Sequence, residues 1–96
     1  MSIATTQRVT ALERANVVRF EGAQLKRDIR DGKLSIAMAL RDARAQPLRI
    51  GAVLVQQPQW GEGRVRRYLG SLYISPHRRV RDLTERQVRM LSEGLG

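Results

Sequence analysis

Between Gly63 and Arg81 the chain carries six arginines and no acidic residue: Arg64, Arg66, Arg67, Arg78, Arg79 and Arg81. A guanidinium is permanently charged and presents a planar fork of N–H donors that matches phosphate oxygens. A solvated protein face usually mixes both signs. One sign concentrated around two helix–turn junctions is the electrostatic footprint of a site for a phosphate backbone. The first three arginines follow the stretch PQWGEG, residues 58–63. Glycine lets the backbone approach an anion closely, and the free N–H groups of a helix start, with the helix dipole, point at it. The spacing therefore predicts one phosphate run at Gly61, Gly63 and Arg64, supported by Arg66 or Arg67. It predicts a second run at Arg78, Arg79 and Arg81.

Other chemistry finds little material. A magnesium-dependent nuclease needs clustered carboxylates, whereas Asp28, Asp31 and Asp42 are spread among arginines. There is no cysteine, hence no disulfide or thiolate metal site. His77 is the only histidine and reads as a surface side chain beside the arginines. Four aromatic residues are too few for a single-strand stacking platform, so Trp60 is expected to pin the corner from the core and Tyr68 and Tyr73 to pack. The expectation is a non-enzymatic protein without cofactor or metal.

The bulk properties agree. Ninety-six residues make one small domain. Eighteen basic against nine acidic residues leave a net charge of +9, which opposes compaction and suits a polyanionic partner. The longest apolar stretch, Ile50 to Val55, is too short to span a bilayer, and no secretory leader is visible, so the expected location is the cytoplasm.

The elements that must hold these residues read as all-α. Val9, Leu12, Ala15, Val18, Gly22, Leu25 and Ile29 recur at helical steps, predicting one long helix near Thr6–Arg30 that stops at Gly32. The part before Gly22 is expected to project as an arm. Ser35 caps a second helix with Ile36, Leu40 and Ala43 on one side, and Met38 at core spacing. Pro47 is placed to begin a short third helix that Pro58 closes, and a fourth is expected from about Glu62 to Leu72. Thr84 and Gln87 form a capping box for a last helix with Val88, Leu91 and Leu95 inward.

Several segments resemble the actinobacterial, mycobacterial-type integration host factor family. They are Leu25-Lys26 with Gly32, Pro58-x-Trp60-Gly61, the tract Ile74-Ser75-Pro76-His77-Arg78-Arg79-Val80-Arg81, and Glu85-Arg86-Gln87. The likeness runs over roughly residues 25–96 and is most specific in the tract. It implies a long N-terminal helix and a compact four-helix, helix-two-turns-helix core like that of a small-subunit ribosomal protein. It also implies double-stranded DNA binding and bending with little sequence preference, in nucleoid compaction or site-specific phage recombination, with an integrase–DNA complex as a further partner. Arg78, Arg79 and Arg81 would contact the DNA, and Pro58 would press into the minor groove. Residues 1–24 then form an arm and 25–96 the DNA-binding domain; no membrane partner is expected, and the sequence leaves the oligomeric state open, with a monomer the simpler expectation. Two rival readings remain at this stage: an RNA-binding module of ribosomal type, and a regulatory protein whose basic face meets an acidic host partner.

Overall fold

The computed structural model describes residues 3–95, with side chains from Thr10 onward. Five α-helices follow one another: α1 Ile3–Arg30, α2 Ile36–Arg41, α3 Ile50–Leu54, α4 Glu62–Ser71 and α5 Glu85–Leu95. Short 3-10 turns cover Ala43–Ala45 and Val80–Asp82.

Local chemistry explains most of the boundaries. α1 ends in a Schellman motif, in which Lys33 N–H reaches the Asp28 carbonyl (2.9 Å) and Gly32 N–H that of Ile29 (3.1 Å). Gly32 takes the left-handed turn at φ 75°. α4 ends the same way, with Ile74 N–H on Leu69 (2.9 Å) and Tyr73 N–H on Gly70 (3.1 Å). There the left-handed position holds Tyr73 at φ 59°, which costs about 1–2 kcal/mol for a residue with a Cβ. Ser35 caps α2 by accepting from Met38 N–H (3.2 Å). Thr84 and Gln87 bond each other's main-chain N–H groups at 2.9 and 3.1 Å, closing the box at the start of α5.

α2 packs mainly on α5, α3 on α4, and α1 on the Ala43–Ala45 turn. Leu25 and Ile29 of α1 join Ile36, Leu40, Ile50, Leu54, Leu69 and Leu91 in one core, and the buried side chains among the described residues are all apolar. Around it, Arg44 binds Asp42 (2.9 Å) and Asp28 (3.3 Å), tying α1 to the turn after α2. The Arg44 hydrogen bonds hold the Asp42 carboxyl below the usual carboxylate range, against the opposing effect of partial burial. Arg44 is thus part of the scaffold.

Several expectations are corrected. Pro47 does not begin α3. Arg49 is the extended N-cap (φ −76°, ψ 141°), and the helix starts at Ile50, because Leu48 and Ile50 pair with another segment instead of forming a first helical turn. Of the stripe along α1, only Gly22, Leu25 and Ile29 are buried; Leu12 and Val18 are exposed, and the Val9 side chain lies outside the described residues. The reason is reach: the helix crosses the core at Gly22, where a Cβ would stand 3.2 Å from Leu48 Cδ2, and every residue from Thr10 to Glu21 is exposed. The radius of gyration, 15.5 Å, accordingly exceeds the roughly 12–13 Å of a compact chain of this length. Met38 and Tyr73 are exposed rather than packed, Ala43 lies beyond α2 with Ala45 buried in its stead, and Trp60 is half-buried at the edge of the core.

Candidate nucleic-acid interface

The arginine tract is positioned by its main chain. Segment Pro76–Arg81 runs antiparallel to Gln46–Gly51, with Arg49 and Arg79 paired across it. Gly51 N–H donates to the Pro76 carbonyl (2.9 Å) and Ile50 N–H to that of Arg78 (2.8 Å). In return, Val80 N–H reaches Leu48 (2.9 Å) and Arg81 N–H reaches Gln46 (3.1 Å). Arg49 supplies no side-chain cap, so the tract's carbonyls satisfy N–H groups that the start of α3 would otherwise leave unpaired. Ile74 and Val80 anchor the two ends in the core, while His77, Arg78, Arg79 and Arg81 stay exposed. Gly51 is required here for space, since a Cβ would meet the Pro76 carbonyl oxygen at 2.9 Å.

The arginines are not equally free. Arg78 Nε donates to the Asp82 carbonyl (3.0 Å), and the Arg79 guanidinium donates to the Pro47 carbonyl. Both therefore brace the tract as well as charging it. Arg66 lies in a groove of about 390 Å³ between α3, α4 and the Pro76-His77 turn, together with Arg49, His77 and the carboxylate of Glu62. Arg64 and Arg67 face the other way, toward Trp60, Tyr68, Gly94 and Leu95. The Arg64 guanidinium stacks 4.1 Å over the Trp60 ring, and Tyr68 meets that ring edge-on at 5.5 Å. Pro58 is exposed in a third hollow, beside Gly32, Leu34 and Ser35. The structure thus brings Arg66 to the tract and separates it from Arg64, Arg67 and Pro58.

Gly61 is the N-cap of α4, with φ −83° and ψ 170°, a conformation open to any residue. It provides no side-chain cap, so the first-turn N–H groups of Glu62, Gly63 and Arg64 are uncapped by any side chain. A Cβ at Gly61 would meet nothing within 4 Å, and one at Gly63 would touch only the Arg67 side chain at 3.6 Å. Neither glycine is demanded by the protein's own packing.

Arg49 is the residue that the sequence reading missed. It lies outside the arginine-rich window, yet the ladder sets it opposite Arg79 and beside Arg66. The available signal was its isolation as the single charged residue between Pro47 and Gly61. Among the described residues no group of three His, Cys, Asp or Glu side chains could hold a metal ion, and no helix is long and apolar enough to cross a membrane.

No family model matches the chain. It is 32% identical over 94 residues to an integration host factor of Mycobacterium tuberculosis, covering 94% of this chain and 90% of that protein. It is likewise 32% identical over 91 residues to the integration host factor of Mycolicibacterium smegmatis, covering 91% and 87%. The relationship therefore extends beyond residues 25–96 into the N-terminal helix. The fold is similar to that of sIHF solved with an 8-bp palindromic DNA: the TM-score is 0.80 at 26% identity, over 88% of this chain and 99% of that one. With identity at this level along most of both sequences and an all-α fold in common, the chain belongs to the integration host factor family represented in mycobacteria.

Proposed function

We propose that the protein binds double-stranded DNA mainly through its phosphates and bends it, acting in the nucleoid of the cytoplasm as an architectural protein. The observation that carries this reading is the ladder. It folds the acid-free arginine tract back onto α3, sets Arg49, Arg66 and His77 around one groove, and leaves Arg78, Arg79 and Arg81 exposed. The similar fold of sIHF, solved with DNA, supports the same partner.

One run of phosphates meets Arg66, Arg49 and the tract. The uncapped start of α4 at Gly61 and Gly63 takes another, with Arg64 held ready by its stack on Trp60 and Arg67 beside it. Pro58 wedges the groove, which serves bending more than phosphate affinity. Residues 25–96 form the binding unit and residues 1–24 an arm. A protein of this kind serves DNA compaction or an integrase–DNA complex in phage recombination, without chemistry of its own.

Gel shifts on short duplexes over a range of salt test the proposal. With about four to six phosphate contacts, log K falls against log salt with a slope of about −4 to −5. Affinity indifferent to salt would overturn the phosphate model, and duplex RNA of equal length competing better than DNA would reassign the partner. Circular-permutation analysis of the same complexes reads the bend.

Gly61→Ala provides a separate check of the corner. The new methyl group meets no protein atom, so the melting temperature falls by only a few degrees, an N-cap alanine costing a few tenths to about 1 kcal/mol. Binding weakens, because the methyl group stands where the phosphate must approach the backbone. Full-strength binding by folded Gly61→Ala removes the corner from the site.

A further inference from the structure

Tyr73 stands almost wholly in solvent, with 95% of its surface exposed. It also holds the left-handed position at the end of α4, where glycine is the usual choice and where α1 uses Gly32. Gln59 and Tyr73 are the non-glycine residues with positive φ among the described residues, and they bracket α4. A ring so exposed returns little packing to offset its backbone strain. Strain retained without internal compensation points to a role toward a partner.

The surroundings say which partner. Tyr73 precedes the buried anchor Ile74, whose N–H is fixed on the Leu69 carbonyl (2.9 Å), so the ring is carried on a rigid corner. His77, Arg78 and Arg79 follow on the next turn, and no acidic residue lies between Gly63 and Arg81. An apolar ring beside a cationic tract suits a polyanion with apolar surface of its own, as duplex DNA offers at the sugars and at a partly unstacked base step of its minor groove.

We infer that Tyr73 is a DNA-contacting residue whose ring packs on a base step at the edge of the stretch held by the arginine tract. This rests on the DNA reading above. The ring adds an uncharged contact to an otherwise electrostatic interface, and an apolar wedge at a base step makes no base-edge hydrogen bond that would fix the sequence.

Tyr73→Ala, Tyr73→Gly and Tyr73→Phe separate this role from a structural one. Their affinities for one duplex are measured at several salt concentrations, beside thermal melts. Tyr73→Phe keeps the ring and binds like the parent protein. Tyr73→Ala and Tyr73→Gly bind about tenfold more weakly at every salt concentration, with the salt slope unchanged, because no phosphate contact is lost. Tyr73→Gly also melts at a higher temperature than the parent, since it relieves the strained φ. Unaltered binding by folded Tyr73→Gly overturns the inference, and so does a slope that flattens with the ring's removal. Binding by Tyr73→Phe as weak as that of Tyr73→Ala would assign the effect to the hydroxyl and overturn the packing role. A parent protein that fails to bind duplex DNA sinks the functional reading itself, which is a distinct result.

Discussion

Replacing Arg66 and Arg81 together by alanine lowers affinity for duplex DNA about a hundredfold at low salt, from two charge-assisted hydrogen bonds of about 1.5 kcal/mol or more each. The salt slope flattens by about two units, since each phosphate contact contributes about 0.9. Both residues are exposed, and neither guanidinium has a hydrogen-bond or ion-pair partner among the described residues. Arg78 and Arg79 would give a mixed result, since their side chains also brace the Asp82 and Pro47 carbonyls. The double variant should melt as the parent does. A steep salt slope surviving in it would mean that the phosphates are held elsewhere, at Arg64 and Arg67 or along the N-terminal helix.

Gly51→Ala produces a large loss of stability for the addition of a single methyl group. The added methyl group is driven to 2.9 Å from the Pro76 carbonyl oxygen and 3.0 Å from its Cβ, and the oxygen is main chain already bonded to Gly51 N–H. Neither atom can swing aside as a side-chain tip would, so α3 and the tract must move apart. Overpacking of this kind costs about 1–3 kcal/mol, which for a chain of this size lowers the melting temperature by about 5–20 °C. Gly61→Ala provides the contrast within the same molecule, because its methyl group enters open space. Equal melting temperatures for the two variants would show that the ladder does not hold the tract against α3.

What could be read from the sequence is what depends on near neighbours. Gly32, Ser35 and the Thr84–Gln87 pair each act within a turn of the helix they bound, so residue type at fixed spacing suffices. The ladder left no such trace. Main-chain hydrogen bonds between Gln46–Gly51 and Pro76–Arg81 use no particular side chain, so in sequence Pro47 resembles a helix start and Arg49 an isolated surface charge. The division of the arginines on α4 was within reach. Arg64 and Arg67 are three positions apart and share a face, whereas Arg66 points away. R-V-R-R is one cluster in sequence and two faces on the helix. Tyr73 defeated the reading for a different reason: an aromatic residue after an apolar stripe ordinarily packs, and only the backbone geometry places it beyond the end of α4.

The same ladder makes the proposed grip conditional on the whole fold. It joins segments 32 positions apart at Leu48 and Val80, so the intervening chain must have closed its loop before the tract is presented. A partly folded chain has the same charges but not their arrangement, and it meets DNA only as a loose polycation. DNA therefore selects the closed form and displaces the folding equilibrium toward it, by about 2.7 kcal/mol at free DNA a hundred times the dissociation constant. Bound DNA is therefore expected to raise the melting temperature and to slow proteolysis of the chain.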